Sequence, residues 1–432
     1  MLTRLLKHPS VMERLIMRVA VIGQGYVGLP LALAAAAAGH TVLAVESDPN
    51  RLDSLARCHS YIVDVSDEDL REAAASGRFI PVTDLRGQPA ADVYLIAVPT
   101  PITEADEPDF RFLDGALATV AGTAAPGALI VVESTVYPGA IRHHVAPLFE
   151  QLSGLQAGTD VRFAHSPERI DPGRDAQYTE IPKLVGGLDE QATAEARAFY
   201  ETVFKHVVPV SSAEIAEFAK LFENTFRYLN IAFANELGRA AREMDVSFHE
   251  VVQAAASKPY GFMPFSHGPG VGGHCLPNNI HYLNHALRSV GRPSTLLSTA
   301  AQVNGAAPSY VVERLERSLE RSGMTVEGAT VLILGLAYKP GVADARNSPT
   351  YDISDALVAR GARVRVVDPH VPEGAGAVSF TRAELTEMEC ADADAVLVVT
   401  DHEDFDYAMV FQNAPLILDC RGRFDSAKVE QL

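Results

Sequence analysis

The stretch "MRVAVIGQGYVGLPLALAAAAAGHTVLAVESD", residues 17–48, predicts the fold of the first part of the chain. An apolar, β-branched run at 18–22 ends at a glycine turn, and a run rich in alanine and leucine follows it. Gly39 fits the end of a helix, and 41–45 is a second apolar run. The stretch therefore predicts a βαβ unit, in which a helix connects two parallel strands.

The turn after the first predicted strand carries a GxGxxG motif, "GQGYVG", at residues 23–28. In such a motif Gly23 permits the tight turn, Gly25 lets backbone N–H groups approach a pyrophosphate, and Gly28 lets the helix pack closely. A glycine turn without any ligand is the competing interpretation. Because the motif lies between a strand and a helix, it predicts a dinucleotide-binding site.

An acidic residue follows at the end of the second predicted strand, where dinucleotide-binding folds hold the ribose. Glu46 stands eighteen residues after Gly28, and Asp48 comes two residues later. Either carboxylate is placed to hold the adenosine ribose hydroxyls, which favours NAD over NADP. The neighbouring Arg51 weakens this preference, because an arginine can accommodate a 2′-phosphate. We therefore expect NAD as the cofactor.

The rest of the chain continues this alternation on either side of a long helical segment, 211–256. Further strand-like runs lie at 92–98, 128–135, 161–167, 329–340, 363–371, 394–402 and 415–420. This order predicts an α/β protein with two Rossmann-like, doubly wound domains joined by a long central helix. The expected boundaries are 17–210 for the first α/β domain, 211–305 for a central helical domain, and 325–432 for the second α/β domain.

Composition and charge restrict the class of protein. The 432-residue chain is 47% hydrophobic and 21% charged, which is ordinary for a globular protein. Its formal net charge of −19 argues against a nucleic-acid partner, since such proteins present basic surfaces. A small anionic ligand stays possible, because it needs only local cations or backbone N–H groups. No apolar run is long enough to span a membrane, so we expect a cytoplasmic protein without a membrane partner.

One of the four cysteines has unusual surroundings. Cys58, Cys275, Cys390 and Cys420 show neither CxxC nor metal-ligand spacing, which favours free thiols in a reducing compartment and predicts no metal site. Cys275 lies in the glycine-rich stretch "GPGVGGHCLPNNIHYL", 268–283. Glycines there offer backbone N–H groups that can favour a thiolate or hold an oxyanion. A small buried thiol is the competing interpretation, and the other three cysteines are expected to be structural.

Four further polar residues near these motifs are candidates. Lys220 and Asn224 are four residues apart and lie on one face of the predicted helix. Apolar neighbours of Lys220 can depress its pKa and suit it to proton transfer, although an ordinary half-exposed lysine is the competing interpretation. His274 and His281 have no partner at metal-ligand spacing, so we expect solvated or capping roles for them.

Together these motifs resemble the UDP-glucose/UDP-N-acetylmannosamine family of nucleotide-sugar 6-dehydrogenases, from residue 18 to about 425. "SPERIDPG" and "KPYGFMPF" are more similar to the bacterial branch that includes UDP-N-acetylglucosamine dehydrogenases. The matching segments, in the family's order, are "GQGYVGLPLA", "VPTP" (98–101), "EST" (133–135), "SPERIDPG" (166–173), "PKLVGG" (182–187), "AKLFENTFRYLNIAFANE", "KPYGFMPFSHGPGVGGHCLP" and "GLAYKPGVADARNSP" (335–349).

The resemblance implies a four-electron oxidation of a nucleotide sugar. The primary alcohol of the sugar is oxidised to an aldehyde, a cysteine captures the aldehyde as a thiohemiacetal, and a second oxidation leaves a thioester that water hydrolyses. The second α/β domain would bind the nucleotide sugar, and the central helix would form the core of a homodimer. UDP-N-acetylglucosamine, UDP-glucose and dTDP-glucose are all open as substrates, and a uronic acid product is compatible with polysaccharide biosynthesis.

The resemblance assigns catalytic roles to five residues. Cys275 matches the nucleophile. Lys220 and Asn224 match residues that hold the sugar hydroxyls, the oxyanion and the hydrolytic water. Thr135 and Glu168 match the pair that orders the water used in proton transfer.

The resemblance and the glycine motif together predict two sets of ligand-binding residues. The residues expected to bind NAD are Gly23, Gly25, Tyr26, Val27, Gly28, Glu46, Asp48, Arg51, Val98, Pro99, Thr100, Ser134, Thr135 and Arg346. The residues expected to bind the nucleotide sugar are Glu168, Lys220, Asn224, Tyr260, Phe262, Phe265, Gly272 and Lys339, of which Lys339 matches a lysine that reaches the active site.

The chain departs from the family's pattern at Asn279. Four residues after the cysteine the family usually has an aspartate that assists hydrolysis, and an amide cannot accept a proton at neutral pH. Losing a general base typically costs a factor of about 10²–10⁴ in rate. We therefore expect an enzyme limited by thioester hydrolysis, unless Glu168 takes over as the base.

Two alternatives belong to different classes. A nucleotide-sugar binding protein with impaired turnover would explain Asn279, but it conflicts with the presence of Cys275, Lys220, Thr135 and Glu168. A two-electron hydroxyacyl-type dehydrogenase shares the Rossmann start and helical middle. It has no need of a cysteine, so the glycine-rich loop argues against it.

Overall fold

The computed structural model of the protein describes residues 16–62, 64–170, 178–372, 374, 378–426 and 428–432. The chain divides into two compact units, of which the first ends at Lys220 and the second runs from Leu221 to Leu432. Each unit contains a sheet of mainly parallel strands. Among the described residues, none of the helices is both long and apolar enough to cross a membrane.

The sheet of the first unit has its strand-order reversal next to the glycine motif. Its strands, within the described part of the chain, are β1 (Arg18–Ile22), β2 (Thr41–Val45), β3 (Phe79–Val82), β4 (Val93–Ile96), β5 (Leu129–Val132), β6 (Arg162–His165), β7 (Lys183–Gly187) and β8 (Val207–Pro209). Their order is β3-β2-β1-β4-β5-β6-β7-β8, and only β6 and β7 pair in the antiparallel sense. In such sheets ligands bind at the carboxyl ends of the strands where the order reverses, here between β1 and β4.

Helices cover both faces of this sheet, so its central strands are apolar throughout. The residues of β4 and β5 are buried without exception. The helices of the first unit are α1 (Gly28–Ala37), α2 (Pro49–Ala56), α3 (Asp67–Ala75), α4 (Arg111–Ala121), α5 (Ala146–Ser153) and α6 (Glu190–Val203). A π-helical turn, Ile141–Val145, leads into α5, and a 3-10 turn, Tyr178–Glu180, precedes β7.

The predicted βαβ unit is confirmed, including the end of its helix. β1 pairs in parallel with β2, and Val19 lies opposite Val42. The helix between them ends as predicted, since Gly39 follows α1 with a φ of +105° and donates its N–H to the Ala36 carbonyl at 3.0 Å. A residue without a Cβ is favoured at such a left-handed position.

The long helical segment in the middle of the chain contains two helices. The longest helix of the described residues, α7 (Ala213–Glu243), has 31 residues and extends over about 46 Å. It is followed by α8 (Phe248–Ala256), after a turn in which Asp245 has a φ of +55°. The prediction of a long central helix is therefore confirmed.

The second unit repeats the doubly wound arrangement. Its remaining helices are α9 (Cys275–Ser289), α10 (Thr295–Gly305), α11 (Ala307–Arg321), α12 (Pro349–Ala359), α13 (Glu387–Ala391) and α14 (Tyr407–Asn413). Its strands, among the described residues, are β9 (Thr330–Leu334), β10 (Arg363–Val367), β11 (Thr381–Arg382), β12 (Ala395–Val398), β13 (Ile417–Asp419) and β14 (Glu430–Gln431). They are parallel and ordered β11-β10-β9-β12-β13-β14. The predicted class of two Rossmann-like domains is confirmed.

The sequence-based strands differ from the observed ones mainly in length. The predicted strands 18–22 and 41–45 coincide with β1 and β2. Each of the further predicted runs contains a shorter strand; 92–98, for example, contains only Val93–Ile96 as strand. The segment "PKLVGG" (182–187) was predicted only as a family motif, and it forms the antiparallel strand β7. The last three residues of "SPERIDPG" lie outside the described residues.

Candidate active site

The glycine motif forms a turn whose middle is open. Gly23 has a φ of +92°, and a Cβ there would lie 2.5 Å from the Ala97 carbonyl oxygen. A Cβ at Gly28 would lie 1.8 Å from the Gly23 carbonyl oxygen, so close packing excludes any side chain. A Cβ at Gly25 would meet no atom within 4 Å. Gly25 therefore faces open space beside the start of α1, which no side chain caps.

The two acidic candidates for ribose binding have different surroundings. The carboxylate of Glu46 is buried and accepts hydrogen bonds from the backbone N–H groups of Gln24 at 3.2 Å and Asp48 at 2.9 Å. Asp48 caps α2, because its Oδ1 accepts from the N–H groups of Asn50 at 2.8 Å and Arg51 at 3.4 Å. Glu46 thus fixes the glycine loop, and Asp48 fixes the next helix.

The loops after β4 and β5 are joined through Ser134. Its hydroxyl accepts from the Val98 N–H at 2.9 Å and donates to the Val98 carbonyl at 2.7 Å. Beyond this contact Pro99 is exposed and Thr100 is buried, while Thr135 is half-buried. The predicted NAD-binding residues of these two loops therefore lie at one edge of the sheet, beside the strand that carries the glycine motif.

A buried lysine holds Glu168. Lys183 Nζ lies 3.1 Å from Glu168 Oε2, which also accepts from the Tyr178 hydroxyl at 2.8 Å. Glu168 Oε1 accepts from the N–H groups of Arg169 at 2.6 Å and Ile170 at 2.8 Å. Burial alone would raise the pKa of Glu168, but these partners lower it below its ordinary value. A carboxylate with four donors and a lowered pKa is a poor proton acceptor, which argues against Glu168 as a replacement base.

The same lysine binds a second carboxylate deeper in the unit. Lys183 Nζ lies 2.6 Å from Glu133 Oε2, and the Tyr200 hydroxyl donates to the other Glu133 oxygen. Burial raises the pKa of Glu133 to about 7, although Lys183 opposes the shift. Burial would lower the pKa of Lys183, but the two carboxylates raise it. Glu133 and Lys183 were quoted only within the family motifs "EST" and "PKLVGG", without a role, and both tyrosines were missed, because residues 50 positions apart leave no local pattern.

Lys220 lies on α7, one turn after the buried carboxylate of Glu217. Its side chain is 9% exposed, so the interpretation of an ordinary half-exposed lysine is wrong. One turn earlier, Glu217 accepts from the backbone N–H groups of Gly139 at 2.5 Å and Ile141 at 2.9 Å. Burial raises the pKa of Glu217 to about 7 despite these two donors. The first turn of the π-helix is therefore fixed to the start of α7.

Cys275 is exposed at the first residue of α9, whereas Cys390 and Cys420 are buried. The interpretation of a buried thiol at 275 is therefore wrong. Burial raises the pKa of both Cys390 and Cys420, as expected of inert structural thiols. Cys58 is intermediate in exposure and has a φ of +53°.

The glycines before Cys275 permit close packing within the second unit. A Cβ at Gly272 would lie 2.7 Å from the Asn347 carbonyl oxygen. Gly273 has a φ of +82°, and a Cβ there would lie 2.8 Å from the Tyr338 ring. The Gly273 N–H donates to the Arg346 carbonyl at 2.9 Å, and Asn347 Nδ2 donates to the Gly273 carbonyl at 3.1 Å. The Gly273 N–H group is therefore occupied by the Arg346 carbonyl, whereas we expected the N–H groups of this loop to hold an oxyanion.

The two histidines of this segment differ in surroundings. His274 is the cap residue of α9, and burial together with the nearby Arg346 lowers its pKa. Both effects favour the neutral form of the His274 ring. His281 lies half-buried within α9.

Asn224 and Asn279 of the second unit are alike in the surroundings of their side-chain amides. Both are buried, and the Nδ2 atom of each has no hydrogen-bond partner among the described residues. Buried amide groups normally have partners, so each orphan donor indicates a missing acceptor.

The predicted sugar-binding loop is exposed except at its end. Tyr260 and Phe262 are 73% and 43% exposed, whereas Phe265 packs edge-on against Phe226 with ring centroids 6.0 Å apart. Lys339 Nζ lies over the ring of its neighbour Tyr338, at 5.8 Å from the centroid.

Arg346 forms a two-pronged ion pair within its own loop. Its Nε and Nη2 donate to both oxygens of Asp344, at 3.0 Å and 2.6 Å. Its backbone carbonyl at the same time accepts from the cysteine loop, so one residue joins the two segments of the second unit.

The residues of the first unit fit NAD. Gly25 leaves room for a pyrophosphate at the uncapped start of α1, and Glu46 lies at the end of β2, where the ribose binds in this fold. This combination is that of a dinucleotide-binding domain.

Three consecutive parts of the chain match the domains of one family. Residues 17–204 match the NAD binding domain of the UDP-glucose/GDP-mannose dehydrogenase family, 214–306 its central domain, and 332–426 its UDP binding domain. The chain belongs to this family. It is therefore an NAD-dependent nucleotide-sugar dehydrogenase.

Relatives of known activity match over nearly their whole length. The chain is 34% identical over 394 residues to the UDP-N-acetyl-D-mannosamine dehydrogenase of Pyrococcus horikoshii, covering 90% of both. It is 32% identical over 395 residues to the UDP-N-acetyl-D-glucosamine 6-dehydrogenase of Salmonella typhi, again covering 90% of both. The solved structure of the UDP-D-ManNAc dehydrogenase from Pyrococcus horikoshii has a TM-score of 0.88 and 30% identity, covering 96% of this chain and 99% of that chain.

Proposed function

We propose that this chain oxidises carbon 6 of a UDP-N-acetylhexosamine to a carboxylate, with Cys275 as the nucleophile. The two relatives named above support this substrate class, because they are dehydrogenases of UDP-N-acetylmannosamine and UDP-N-acetylglucosamine. UDP-glucose and dTDP-glucose are the competing substrates. Discrimination among them depends on contacts around the hexose and the base.

The exposure of Cys275 at a helix N-terminus carries this proposal. A reactive cysteine needs access to substrate and an environment that favours negative charge. The thiol is exposed, and it stands at the first residue of a 15-residue helix, where the unpaired peptide N–H groups and the helix dipole favour an anion. The other cysteines lack this combination.

The thiol takes part in the second of two oxidation steps. The primary alcohol first loses a proton and a hydride, which gives an aldehyde. The sulfur of Cys275 then bonds to carbon 6, and the carbonyl electron pair moves to the oxygen. Loss of a second hydride leaves a thioester, and water releases the carboxylate and restores the thiol. Bound NAD supplies the acceptor for each hydride.

Lys220 and Asn224 are proposed to hold the oxygens of the reacting sugar. Lys220 is largely buried and brings a positive charge to α7, and Asn224 is one turn further along the same helix. Thr135 and Glu168 are proposed to order a water molecule. Because Glu168 already accepts four hydrogen bonds, its role is to position rather than to take up a proton.

We assign the chain's domains accordingly. Residues 17–210 would bind NAD, 211–305 would carry the central helix and the cysteine loop, and 325–432 would bind the nucleotide sugar. We also propose a homodimer that forms through α7. Phe222, Phe226, Phe233 and Leu237 lie along one face of α7 and are 39–62% exposed, and an apolar stripe of this kind is typical of an interface.

The deciding experiment measures NADH formed per sugar nucleotide consumed. UDP-N-acetylglucosamine, UDP-N-acetylmannosamine, UDP-glucose and dTDP-glucose are offered separately to the purified protein. We expect two NADH per molecule with an N-acetylhexosamine. Cys275→Ser should lose the second NADH, and the matched control Cys58→Ser should keep both.

Two other results would contradict the proposal. Binding of the sugar nucleotides without any NADH would favour the alternative of a nucleotide-sugar binding protein in which Asn279 prevents turnover. Equal activity in Cys275→Ser would exclude a covalent intermediate and favour a two-electron dehydrogenase.

A further inference from the structure

The first turn of α9 carries Cys275 and presents hydrogen-bond donors to whatever binds there. His274, the cap residue, makes no side-chain hydrogen bond to this turn. The first N–H groups of a helix have no partner within the helix, so an oxygen with negative charge is favoured beside them.

Asn279 adds a further donor to the same part of α9. It lies four residues after Cys275, and residues at this spacing are neighbours on the surface of a helix. The side chain is 4% exposed, and its Nδ2 has no hydrogen-bond partner among the residues that the structure describes. A buried N–H₂ group in this position is satisfied when a ligand oxygen arrives.

Asn224 presents the same group from α7. It is 9% exposed, and its Nδ2 likewise lacks a hydrogen-bond partner within the described ranges. It lies one helical turn before Tyr228, on the same face of α7. The described part of the second unit thus contains these two buried side-chain amides, and the N–H₂ group of each has no hydrogen-bond acceptor.

The packing of α7 on α9 places these two amides in one neighbourhood. Tyr228 of α7 and Ile280 of α9 belong to one apolar cluster, against which Leu276 also packs. Asn224 precedes Tyr228 by one turn, Asn279 is the residue before Ile280, and Leu276 directly follows the cysteine. Both amides therefore lie beside the contact between α7 and α9, and Cys275 lies next to the same contact.

We propose that Asn279 is a hydrogen-bond donor to the oxygen on carbon 6 while that carbon is bonded to Cys275, and that it acts together with Asn224. This inference rests on the proposed function. When the sulfur–carbon bond forms, the carbonyl π bond breaks and its electron pair moves to oxygen. Two neutral amide donors and a helix N-terminus stabilise the resulting charge.

The chemical difference between an amide and a carboxylate decides what this site can do. A carboxylate at position 279 would accept a proton from water but would repel an oxyanion. The amide of Asn279 cannot accept the proton, and it attracts the oxyanion instead. The position therefore favours forming the covalent intermediate and leaves its hydrolysis without a base.

The experiment separates these two steps in the intact protein. Enzyme, NAD and UDP-N-acetylglucosamine or UDP-N-acetylmannosamine are mixed rapidly. NADH absorbance gives the rate of the two oxidations, and the intact mass after acid quench gives the amount of acyl-enzyme. In the wild type we expect an NADH burst, an accumulating adduct, and a slow turnover that rises with hydroxide concentration.

Three variants test the donor. Asn279→Ala should slow the second NADH of the burst by about 10²-fold, the usual loss of one oxyanion donor, and leave the first unchanged. Asn279→Asp keeps the shape of the side chain, so this variant controls for misfolding. It should also slow the second NADH of the burst. Unlike the wild type, it should accumulate no adduct, and the pH dependence of its turnover should be flat. The matched control is Asn278→Ala, which truncates the neighbouring amide, itself 7% exposed, and should leave the burst unchanged.

The outcomes separate this inference from the proposed function. A normal burst in both Asn279 variants would overturn the donor role while leaving the oxidation itself intact. No NADH and no adduct in the wild type, with any of the sugar nucleotides, would overturn the proposed function and the inference with it. A slowed burst in both variants, with loss of the adduct only in Asn279→Asp, supports the inference.

Discussion

The ammonium nitrogen of Lys183 lies 2.6 Å from a carboxylate oxygen of Glu133, and the two side chains are 3% and 0% exposed. A buried charge without its partner is far more costly than a buried pair. The same ammonium also lies 3.1 Å from Glu168. Lys183 is therefore the shared ion-pair partner of two buried carboxylates, one of which is a candidate residue of the active site.

We expect Lys183→Met to lower the free energy of unfolding by about 3–5 kcal/mol at pH 7.5, because two buried carboxylates lose their counterion. Urea unfolding of the wild type and the variant measures this difference. Lys205→Met is the control, since Lys205 pairs with Glu180 at the surface, and its unfolding curve should coincide with that of the wild type. If the unfolding curve of Lys183→Met coincided with that of the wild type, the ion pairs of Lys183 would not stabilise the fold.

The buried carboxyl of Glu217 predicts a dependence of stability on pH. Its pKa is raised by burial from 4.5 to about 7, so the folded protein binds this proton more tightly than the unfolded chain. Stability from this group is complete below pH 4.5 and is lost as the pH rises through 7. We expect the wild type to lose about 3 kcal/mol relative to Glu217→Gln over this interval.

Thermal or urea unfolding at intervals between pH 4.5 and 8 measures this loss. The difference between the two proteins isolates Glu217, because Glu133 also has a pKa of about 7 and is present in both. A difference that stays constant with pH would show that Glu217 does not titrate in this range.

Alanine should have different effects at two positions of the glycine motif. Gly28→Ala should destabilise the first unit by roughly 3 kcal/mol or more, because its Cβ would lie 1.8 Å from the Gly23 oxygen. Gly25→Ala adds a methyl to open space, so it should leave the melting temperature unchanged and weaken NAD binding about tenfold. Calorimetry and NAD titration measure the two effects. A fall in melting temperature for Gly25→Ala, or normal NAD binding, would contradict the assignment of Gly25 to the pyrophosphate.

The cysteine loop should not tolerate a side chain at Gly272. Gly272→Ala would bring a Cβ to 2.7 Å from the Asn347 oxygen, and we expect a loss of about 1–3 kcal/mol together with slower NADH formation. Gly305→Ala is the matched control, since its Cβ would meet no atom within 4 Å and the residue ends α10. This control should be neutral or slightly stabilising. Equal melting temperatures for the two variants would mean that the loop can move aside.

The exposed stripe of α7 should decide the oligomeric state. Phe222 and Phe233 are 61% and 62% exposed, and a charge at either position would oppose burial against a second copy. We expect Phe222→Asp and Phe233→Asp to be monomeric by light scattering after gel filtration, and the wild type to be dimeric. Phe112→Asp, at a site 52% exposed on α4, should stay dimeric. A dimeric Phe222→Asp, Phe233→Asp double variant would place the interface elsewhere.

Local patterns were sufficient to predict the glycine turn and the two doubly wound sheets. The role of Gly28 is predictable because it depends on Gly23, only five residues away. The pairing of β1 with β2 is predictable because one short helix joins them. The pairing of Lys183 with Glu133 is not predictable, since it joins side chains 50 residues apart through burial alone. The glycines before Cys275 were recognised but misinterpreted in part: Gly272 and Gly273 serve packing against 338–349, which no sequence pattern records.

The close approach of Gly272 to the Asn347 carbonyl has a consequence for recombination between relatives. The cysteine loop and the segment 335–349 fit together at van der Waals distance, so a substitution in one restricts what the other can accept. A chimaera that takes the loop from one parent and the segment from another joins two surfaces that were never selected together. Crossover points that leave both segments from the same parent should yield folded hybrids far more often than points placed between them.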